Sequence, residues 1–368
     1  MEFMIDFSPT VEQEEIRQLA RSLASERLRP EGRSAEQKGD ISAALMQMLT
    51  QTGLTTPFSE NLGGSGPIDA VTYVLIAEEL GFGDGGLAMN IFGSMLGPLA
   101  VALAGNERQQ EQFIYPFCDA QEGYKERGSL AFAERTGGYT VAEINTTLRR
   151  DGDHYIMNGT KRDVIHGAHS QPRVVLARLA DTTGIEGVCA ILVPAQIEGL
   201  QITSDAQKLG LLAAPSASYM LHDVVVAPDA LLGEPGNAGV LRVAALSALL
   251  RAAVACGMVR AALEYSGHYA EERIAFGRPI VSYQGIAFLL AEMAMKLDAA
   301  RLLLWHAAEQ WDCVPAPETL LREAEAAQYQ AVKLAKSATI DAVQIMGGAG
   351  FMQDHPVEMW MRNAAAME

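Results

Sequence analysis

Glycines in Gly81-Phe-Gly83-Asp-Gly-Gly86 have the spacing of a dinucleotide-binding turn. Such a turn needs a strand before it and a helix after it, so that N–H groups at the helix start meet a pyrophosphate. Here the apolar helical pattern of Ala70–Leu80 precedes it, so the glycines read as a helix terminator with a loop. His166 and His169, in His166-Gly-Ala-His169, lie beside no acidic or cysteine cluster that would complete a metal sphere. They read as two loop histidines, and no metal site is predicted. Arg242, Arg251 and Arg260 recur at nine-residue intervals in an apolar stretch. On a helix of ~3.6 residues per turn each step is a rotation of about 180°, so Arg251 faces away from the other two. Leu249, Leu250, Ala252 and Val254 surround it. A guanidinium so placed needs an anion. Either an internal carboxylate pairs with it, or it touches an acidic ligand or a carboxylate near one, which makes Arg251 a candidate substrate contact.

Two further segments carry candidate chemistry. Gln344-Ile-Met-Gly347-Gly348-Ala-Gly350 follows a long helix. Its glycines could stop the helix, or let backbone approach a phosphate or ring closely. Arg273-Ile-Ala-Phe276-Gly277-Arg278-Pro279-Ile280 ends another long helix, where the dipole favours an arginine.

The elements that must hold these residues fall into three regions. From Ser8 to about Gln121 the signals are helical: a Ser8-Pro9-Thr10 start, then an apolar stripe at Ile16, Leu19, Ala20, Leu23 and Ala24. Asn61–Pro67 reads as a loop. From Arg127 to Gly233 short β-branched runs (173–178, 187–193, 218–226) alternate with Asp151-Gly152, Asn158-Gly159 and Glu198-Gly199, which predicts strands joined by turns. From Asn237 onward the pattern is helical again over 240–274, 284–311 and 318–346, with the Pro315-Ala-Pro317 break between the last two. At ~1.5 Å per residue the first of these is on the order of 50 Å long. Long helices, apolar on more than one side and joined by short loops, predict a bundle.

The chain has 368 residues, 49% hydrophobic and 20% charged, enough for two or three domains. A net charge of −17 argues against a nucleic-acid partner. Glu2 and Asp6 interrupt any leader, and three arginines break Val240–Leu263, the strongest candidate membrane span. The expectation is a cytoplasmic protein with no membrane span. Cys118, Cys189, Cys256 and Cys313 lack metal or disulfide spacing and are expected to be reduced core residues.

Taken in order, these segments resemble the acyl-CoA dehydrogenase family over essentially the whole chain. The residues that carry the resemblance are Arg273-x-x-Phe276-Gly277-x-Pro279-Ile280, Tyr283-Gln284, Leu290-Ala-Glu-Met293, Ala342-Val-Gln344-Ile-Met-Gly-Gly-x-Gly350-Phe351, Pro356-Val-Glu358 and Arg362. Thr10-x-Glu12-Gln13, Gly63-Gly-Ser-Gly66, Lys208-Leu-Gly210, Asp223-Val-x-Val226 and Pro228 fit as well. The resemblance implies a mainly α fold with a central β domain: a helical domain over 1–126, a β-barrel-like domain over 127–233 and a four-helix-type bundle over 234–368. It also implies FAD-dependent α,β-desaturation of an acyl-CoA, as in β-oxidation of fatty acids or steroid side chains, with an electron-transfer flavoprotein as partner. A glutamate would take the α-proton while the β-hydrogen leaves as hydride to the flavin. In the family's tetramers, the positions matching Arg273, Phe276, Gln284, Gln344, Gly347 and Gly348 reach the flavin of a neighbouring subunit.

Other positions depart from the family pattern. The segment expected to hold flavin and CoA is Ala133-Glu134-Arg135-Thr136-Gly137-Gly138-Tyr139, mostly changed. The expected Trp-Ile-Thr is Asp163-Val164-Ile165, and an arginine expected after Leu209-Gly210 is Leu212. The family's usual catalytic glutamate lies further beyond Arg362 than this sequence reaches, so Glu368 could be the catalytic base only through a shortened loop. The retained residues give contacts to a neighbour, and the changed ones would receive them. The expectation is therefore a subunit of a hetero-oligomer that lends FAD contacts to a second dehydrogenase-like subunit and lacks a complete site of its own. The alternatives are a self-sufficient homotetramer with an atypical flavin site, and a structural or non-redox acyl-CoA-binding relative, the latter motivated by Asp163 and His166.

Overall fold

Thr10 begins the first helix, α1 (Val11–Leu23), through a capping box. Its hydroxyl accepts from the Gln13 N–H at 3.2 Å, and the Gln13 side chain accepts from the Thr10 N–H at 3.0 Å. The computed structural model describes residues 8–134, 140–204, 208–313 and 316–368. The predicted features at Glu2 and Asp6, at 135–139 and at Pro315 lie outside the described residues. Along α1 the predicted stripe holds at Ala20 and, one residue past its end, at Ala24, both fully buried, and at Ile16 and Leu23, half-buried against the same core. Leu19 is 46% exposed and lies off it. A π turn leads into α2 (Arg29–Lys38), followed by α3 (Ala43–Gln51), α4 (Ala70–Gly83), α5 (Gly85–Ala104) and α6 (Glu107–Cys118). The glycine run at 81–86 does not open into a loop. Asp84 alone separates α4 from α5, and its carboxylate caps α5 by accepting from the Leu87 N–H at 2.8 Å. The glycines serve close packing instead: a Cβ on Gly81 would lie 2.6 Å from the Val254 carbonyl oxygen.

The middle region forms one seven-stranded sheet from β1 (Ser129–Ala131), β2 (Thr147–Asp151), β3 (His154–Ile165), β4 (Arg173–Leu179), β5 (Val188–Leu192), β6 (Leu200–Ser204) and β7 (Ser216–Val226). The order is β1-β4-β2-β3-β7-β6, with β5 also on β4. Val174 and Leu176 of β4 join the core shared with the helices, while Val175 and Ala177 join a second core on the other face. A strand buried on both faces reads as a continuous apolar run rather than an alternation.

The last region holds α7 (Ala238–Glu272), a hairpin of β8 (Ile274–Ala275) and β9 (Arg278–Pro279), α8 (Gln284–Cys313), α9 (Pro317–Met346) and α10 (Val357–Ala365). α7 packs against α4, α5, α8 and α9, which is why its sequence is apolar on every side. Both α5 and α7 are long and apolar enough to cross a membrane, yet 78% of the apolar window in each is buried inside the fold. Only α7 drew attention as a candidate span in the sequence. Cys189 and Cys256 are core residues as expected, but Cys118 is half-buried and Cys313 exposed.

The three arginines of α7 divide their roles. Arg242 lies 3.9 Å over the Trp311 ring, and Trp311 Nε1 donates to the Arg242 carbonyl at 2.8 Å. Arg260 makes a bidentate pair with Glu79 of α4, one arm at 2.9 Å. Arg21 of α1 grips the same carboxylate at 3.0 Å, and Arg301 of α8 holds the adjoining Glu78 at 2.6 Å. Burial alone would push the Glu79 carboxyl up, but Arg260 and then Arg21 hold it below its ordinary value. Replacing Glu79 by alanine takes the bidentate partner from the buried Arg260, which keeps only Glu78 at 3.6 Å, and Glu79→Ala is expected to lower the unfolding free energy by ~2–3 kcal/mol, read from a urea denaturation midpoint.

Candidate functional site

Where α7 ends, the Arg273 N–H donates to the Tyr269 carbonyl at 2.8 Å, and the chain turns into the β8–β9 hairpin. The two turn residues, Phe276 (φ 51°) and Gly277 (φ 83°), are both left-handed, the pattern of a type I′ hairpin turn. Glycine suits that geometry, while phenylalanine is strained in it and is 97% exposed. Tyr283 braces the hairpin: its hydroxyl donates to the Ala275 carbonyl at 2.9 Å, and the Arg278 guanidinium stacks on its ring at 4.1 Å. The next residue, Gln284, opens α8. At the far end of α9, Gln344 is exposed, and Gly347 (φ 57°) ends the helix by donating to the Gln344 carbonyl. A Cβ at Gly277, Gly285, Gly347 or Gly348 would meet nothing within 4 Å. All six residues expected to reach a neighbour's flavin are therefore exposed. Phe276 and Gln284 adjoin Tyr283, the first by accepting from its hydroxyl at 3.4 Å and the second in sequence, while the Arg273 carbonyl accepts from the Ile280 N–H at 2.9 Å. Among the described residues no hydrogen bond or ion pair ties them to the Gln344–Gly348 turn.

Arg251 belongs to a different place. It lines a cavity of about 50 Å³ with Met89, Phe92, Gly93, Leu96, Leu130, Phe132, Asp163, Ile165, Ser247 and Leu250. Its Nη1 donates to the Met367 carbonyl at 3.3 Å. The internal ion pair considered for Arg251 is made by Arg260 instead. Among the described residues Arg251 has no carboxylate within ion-pairing distance, and Asp163 turns its own toward Arg162 at 3.4 Å. Burial lowers the Arg251 pKa, and the charge of Asp163 opposes that shift. Ile165 presses on α5 at Gly93, where an added Cβ would lie 2.6 Å from Ile165 Cγ2.

Beside it, His166 is buried, with Nε2 3.1 Å from both the carbonyl and the side-chain oxygen of Asn90. Both are acceptors, so Nε2 carries the proton. Asn90 in turn donates to Asp40 and to the Ala213 carbonyl, each at 2.7 Å. Burial pushes the His166 pKa down to about 4, so the ring is neutral. His169 is exposed and takes no part, and among the described residues no three His, Cys, Asp or Glu side chains converge on a metal position.

The sequence reading missed a buried pair in the segment expected to hold flavin. Lys161 Nζ lies 2.7 Å from Glu134 Oε1, which also accepts from the Thr146 N–H and hydroxyl at 2.9 and 2.7 Å. Burial lowers the Lys161 pKa to about 8, and Glu134 opposes that shift. The partners come from separate stretches, and no local signal joins them. Glu368 is exposed, pairs with Lys336, and does not line the cavity.

Three family models match in chain order: the acyl-CoA dehydrogenase N-terminal domain over residues 10–121, the middle domain over 129–224 and the C-terminal domain over 238–368. The mitochondrial short-chain specific acyl-CoA dehydrogenase of Bos taurus is 32% identical over 359 residues, which is 96% of this chain and 85% of that protein. The chain belongs to the acyl-CoA dehydrogenase family. A 3-(aryl)acrylate reductase of Clostridium sporogenes is 31% identical, covering 96% of this chain and 93% of that one. The butyryl-CoA dehydrogenase structure from Megasphaera elsdenii superposes with a TM-score of 0.83 at 28% identity, over 99% of this chain and 95% of that one. The acyl-CoA dehydrogenases are FAD-dependent oxidoreductases. Arg273, Gln284 and Gln344 are accessible donors and the backbone at Gly347 and Gly348 is open to approach, features that such a cofactor can use. The cavity beside Asp163 and Ile165 has no room for a fused three-ring system.

The neutral His166 gives the fold a measurable acid sensitivity. An unfolded histidine has a pKa of ~6.5. Between pH 6.5 and 4 the unfolded chain thus binds the proton and the folded chain does not. The stability contributed is full above pH 6.5 and falls as pH drops through this window, by about 2 kcal/mol at pH 5. His166→Gln is expected to reduce the loss of urea midpoint between pH 7 and pH 5.

Proposed function

We propose that this chain is the FAD-lending subunit of a hetero-oligomeric acyl-CoA dehydrogenase. One contrast carries the reading. The residues facing outward for a neighbour's flavin, Arg273, Phe276, Gln284, Gln344, Gly347 and Gly348, are exposed and unobstructed. The positions expected to receive flavin within the chain hold Asp163 and Ile165 around a cavity of about 50 Å³. Bound FAD would supply the hydride acceptor for α,β-desaturation of an acyl-CoA, and an electron-transfer flavoprotein would take the electrons onward. The lent residues then act by position: the Arg273 guanidinium and the Gln284 and Gln344 amides offer donors, and Gly347 and Gly348 admit close backbone approach.

The surface of the bundle supports assembly. Phe276, Phe288, Met295 and Phe351 are each more than half exposed. Large apolar side chains left in water on the hairpin, on α8 and after α9 offer area for a contact with another subunit. Met352 and Ile340 extend the same kind of exposure.

Purification of the chain alone and together with a second dehydrogenase-like subunit tests the reading through flavin absorbance. One flavin per heterodimer and none on the lone chain is the expected result. Stoichiometric FAD on the lone chain would overturn it and favour a self-sufficient homotetramer. In the heterodimer, Arg273→Ala is expected to weaken FAD retention about tenfold, a loss of ~1.4 kcal/mol, measured by equilibrium dialysis.

A further inference from the structure

We infer that Tyr283 is a positioning residue for the lent flavin contacts. It holds the β8–β9 turn and the first residue of α8 in one fixed relation. The inference rests on the reading of this chain as a lender of FAD contacts. It names the residue that keeps two separate pieces of the lent set at a fixed spacing: the hairpin with Arg273 and Phe276, and the helix start with Gln284.

Every part of Tyr283 is engaged. Its hydroxyl donates to the Ala275 carbonyl at 2.9 Å, with the Phe276 carbonyl at 3.4 Å as a second acceptor. Among the described residues no other side chain hydrogen-bonds a carbonyl of the turn. Its ring carries the Arg278 guanidinium 4.1 Å above the centroid. Ala275 and Arg278 are paired across the hairpin, so Tyr283 grips both strands. Its carbonyl accepts from the Ile286 and Ala287 N–H groups, both at 3.0 Å, and so sets the start of α8 at Gln284. Its N–H donates to the Ile280 carbonyl at 3.1 Å, and the Ile280 N–H donates to the Arg273 carbonyl at 2.9 Å. A chain of main-chain hydrogen bonds thus runs from Arg273 through Ile280 to Tyr283.

The hairpin needs this support. Its strands are two residues each, and so short a hairpin is marginal in water. Phe276 at φ 51° holds a conformation that a bulky residue keeps only where its surroundings over-determine it. Side-chain packing does not supply that, because Ile274 is 56% exposed and Phe276 97%. The fixed ground lies beneath: Ile280, Val281 and Ile286, on either side of Tyr283 in sequence, pack against the main core. Tyr283 joins that ground to the exposed turn. A flavin that meets contacts already in place freezes fewer side chains and loops on binding. Phenylalanine would keep the ring but could not donate, so the hydroxyl separates positioning from packing.

The first arm of the test uses the full chain without flavin. Hydrogen–deuterium exchange over residues 274–283 is followed by mass spectrometry. Tyr283→Phe removes one neutral hydrogen bond and is expected to speed exchange there about fivefold, with the melting temperature unchanged. Arg278→Met removes the stacked cation and is expected to speed it about threefold. Unchanged exchange in both variants overturns the inference.

The second arm measures FAD retention by equilibrium dialysis on whichever assembly holds flavin, the complex with a second dehydrogenase-like subunit or an oligomer of this chain alone. Tyr283→Phe is expected to weaken retention about fivefold and to alter the visible circular dichroism of the bound flavin. A positioning role also predicts non-additivity, which a general loss of stability does not. In the Arg273→Ala background the same substitution should weaken retention by only about twofold, because one contact that it positions is already gone. Equal losses in the two backgrounds, or retention unchanged in Tyr283→Phe, overturn the inference. The two readings fail separately. Stoichiometric FAD on the lone chain sinks the subunit reading and moves the Tyr283 test to that oligomer. FAD on the heterodimer alone, indifferent to Tyr283→Phe, sinks this inference and leaves the subunit reading standing. FAD on neither preparation sinks both.

Discussion

The buried contact between Glu79 and Arg260 fixes the helix on which everything else is mounted. Removing two charges from water is costly, and only close, bidentate geometry offsets it. Glu79 meets that demand by accepting from Arg260 and Arg21 together, while Glu78 beside it takes Arg301. Four helices, α1, α4, α7 and α8, are thereby tied through two adjacent carboxylates. Because α7 is held in register at Arg260, its other positions are held too. Arg251, nine residues earlier, faces the cavity, and Arg273, thirteen residues later, delivers the hairpin. A single rigid rod therefore carries an internal cation at one level and an external loop at another.

These two levels differ in what they ask of their surroundings. At the cavity, side chains from α5, α7 and β3 converge and leave very little room. At the hairpin and at the end of α9, side chains diverge and the glycines border empty space. The strained left-handed Phe276 belongs to the second level. A bulky side chain on backbone held at φ 51° and almost wholly in water gains no packing from its own chain that would offset the strain. In the proposed assembly this side chain is among those offered to the neighbouring subunit.

Much of this was readable in the sequence, for physical reasons that differ by element. The long helices α7, α8 and α9 were legible because their apolar positions recur over many turns, and their ends fell within a few residues of the predicted ones. The strands β4, β5 and β7 were legible as short β-branched runs between turn pairs. The family resemblance rested on residues spread over the whole length, and the three matched domains bear it out. The junction at 81–86 was misread because glycine stops a helix and also permits helices to touch. Only the position of Val254 opposite Gly81 decides between the two. The Lys161–Glu134 pair and the Asn90–His166 contact were invisible because each joins residues from separate elements with no shared pattern. For Arg251 the sequence yielded the direction it faces but not its contact with the Met367 carbonyl, since pairing is a property of the packed fold.

The junction at Asp84 constrains how this protein can change over time. Two helices meet there with a single residue between them, so the phase of α5 is fixed by the phase of α4. Inserting or deleting one residue would rotate α5 by about 100°. Met89, Phe92, Gly93 and Leu96 would swing away from the cavity together, and the Asp84 cap on Leu87 would be lost. Volume-conserving substitutions can accumulate along α5, but changes of length at its start cannot. The exposed loop around Gly63–Gly66 faces no such bookkeeping of helical phase. Among descendants of this sequence, gaps should collect in that loop and leave the Asp84 joint intact.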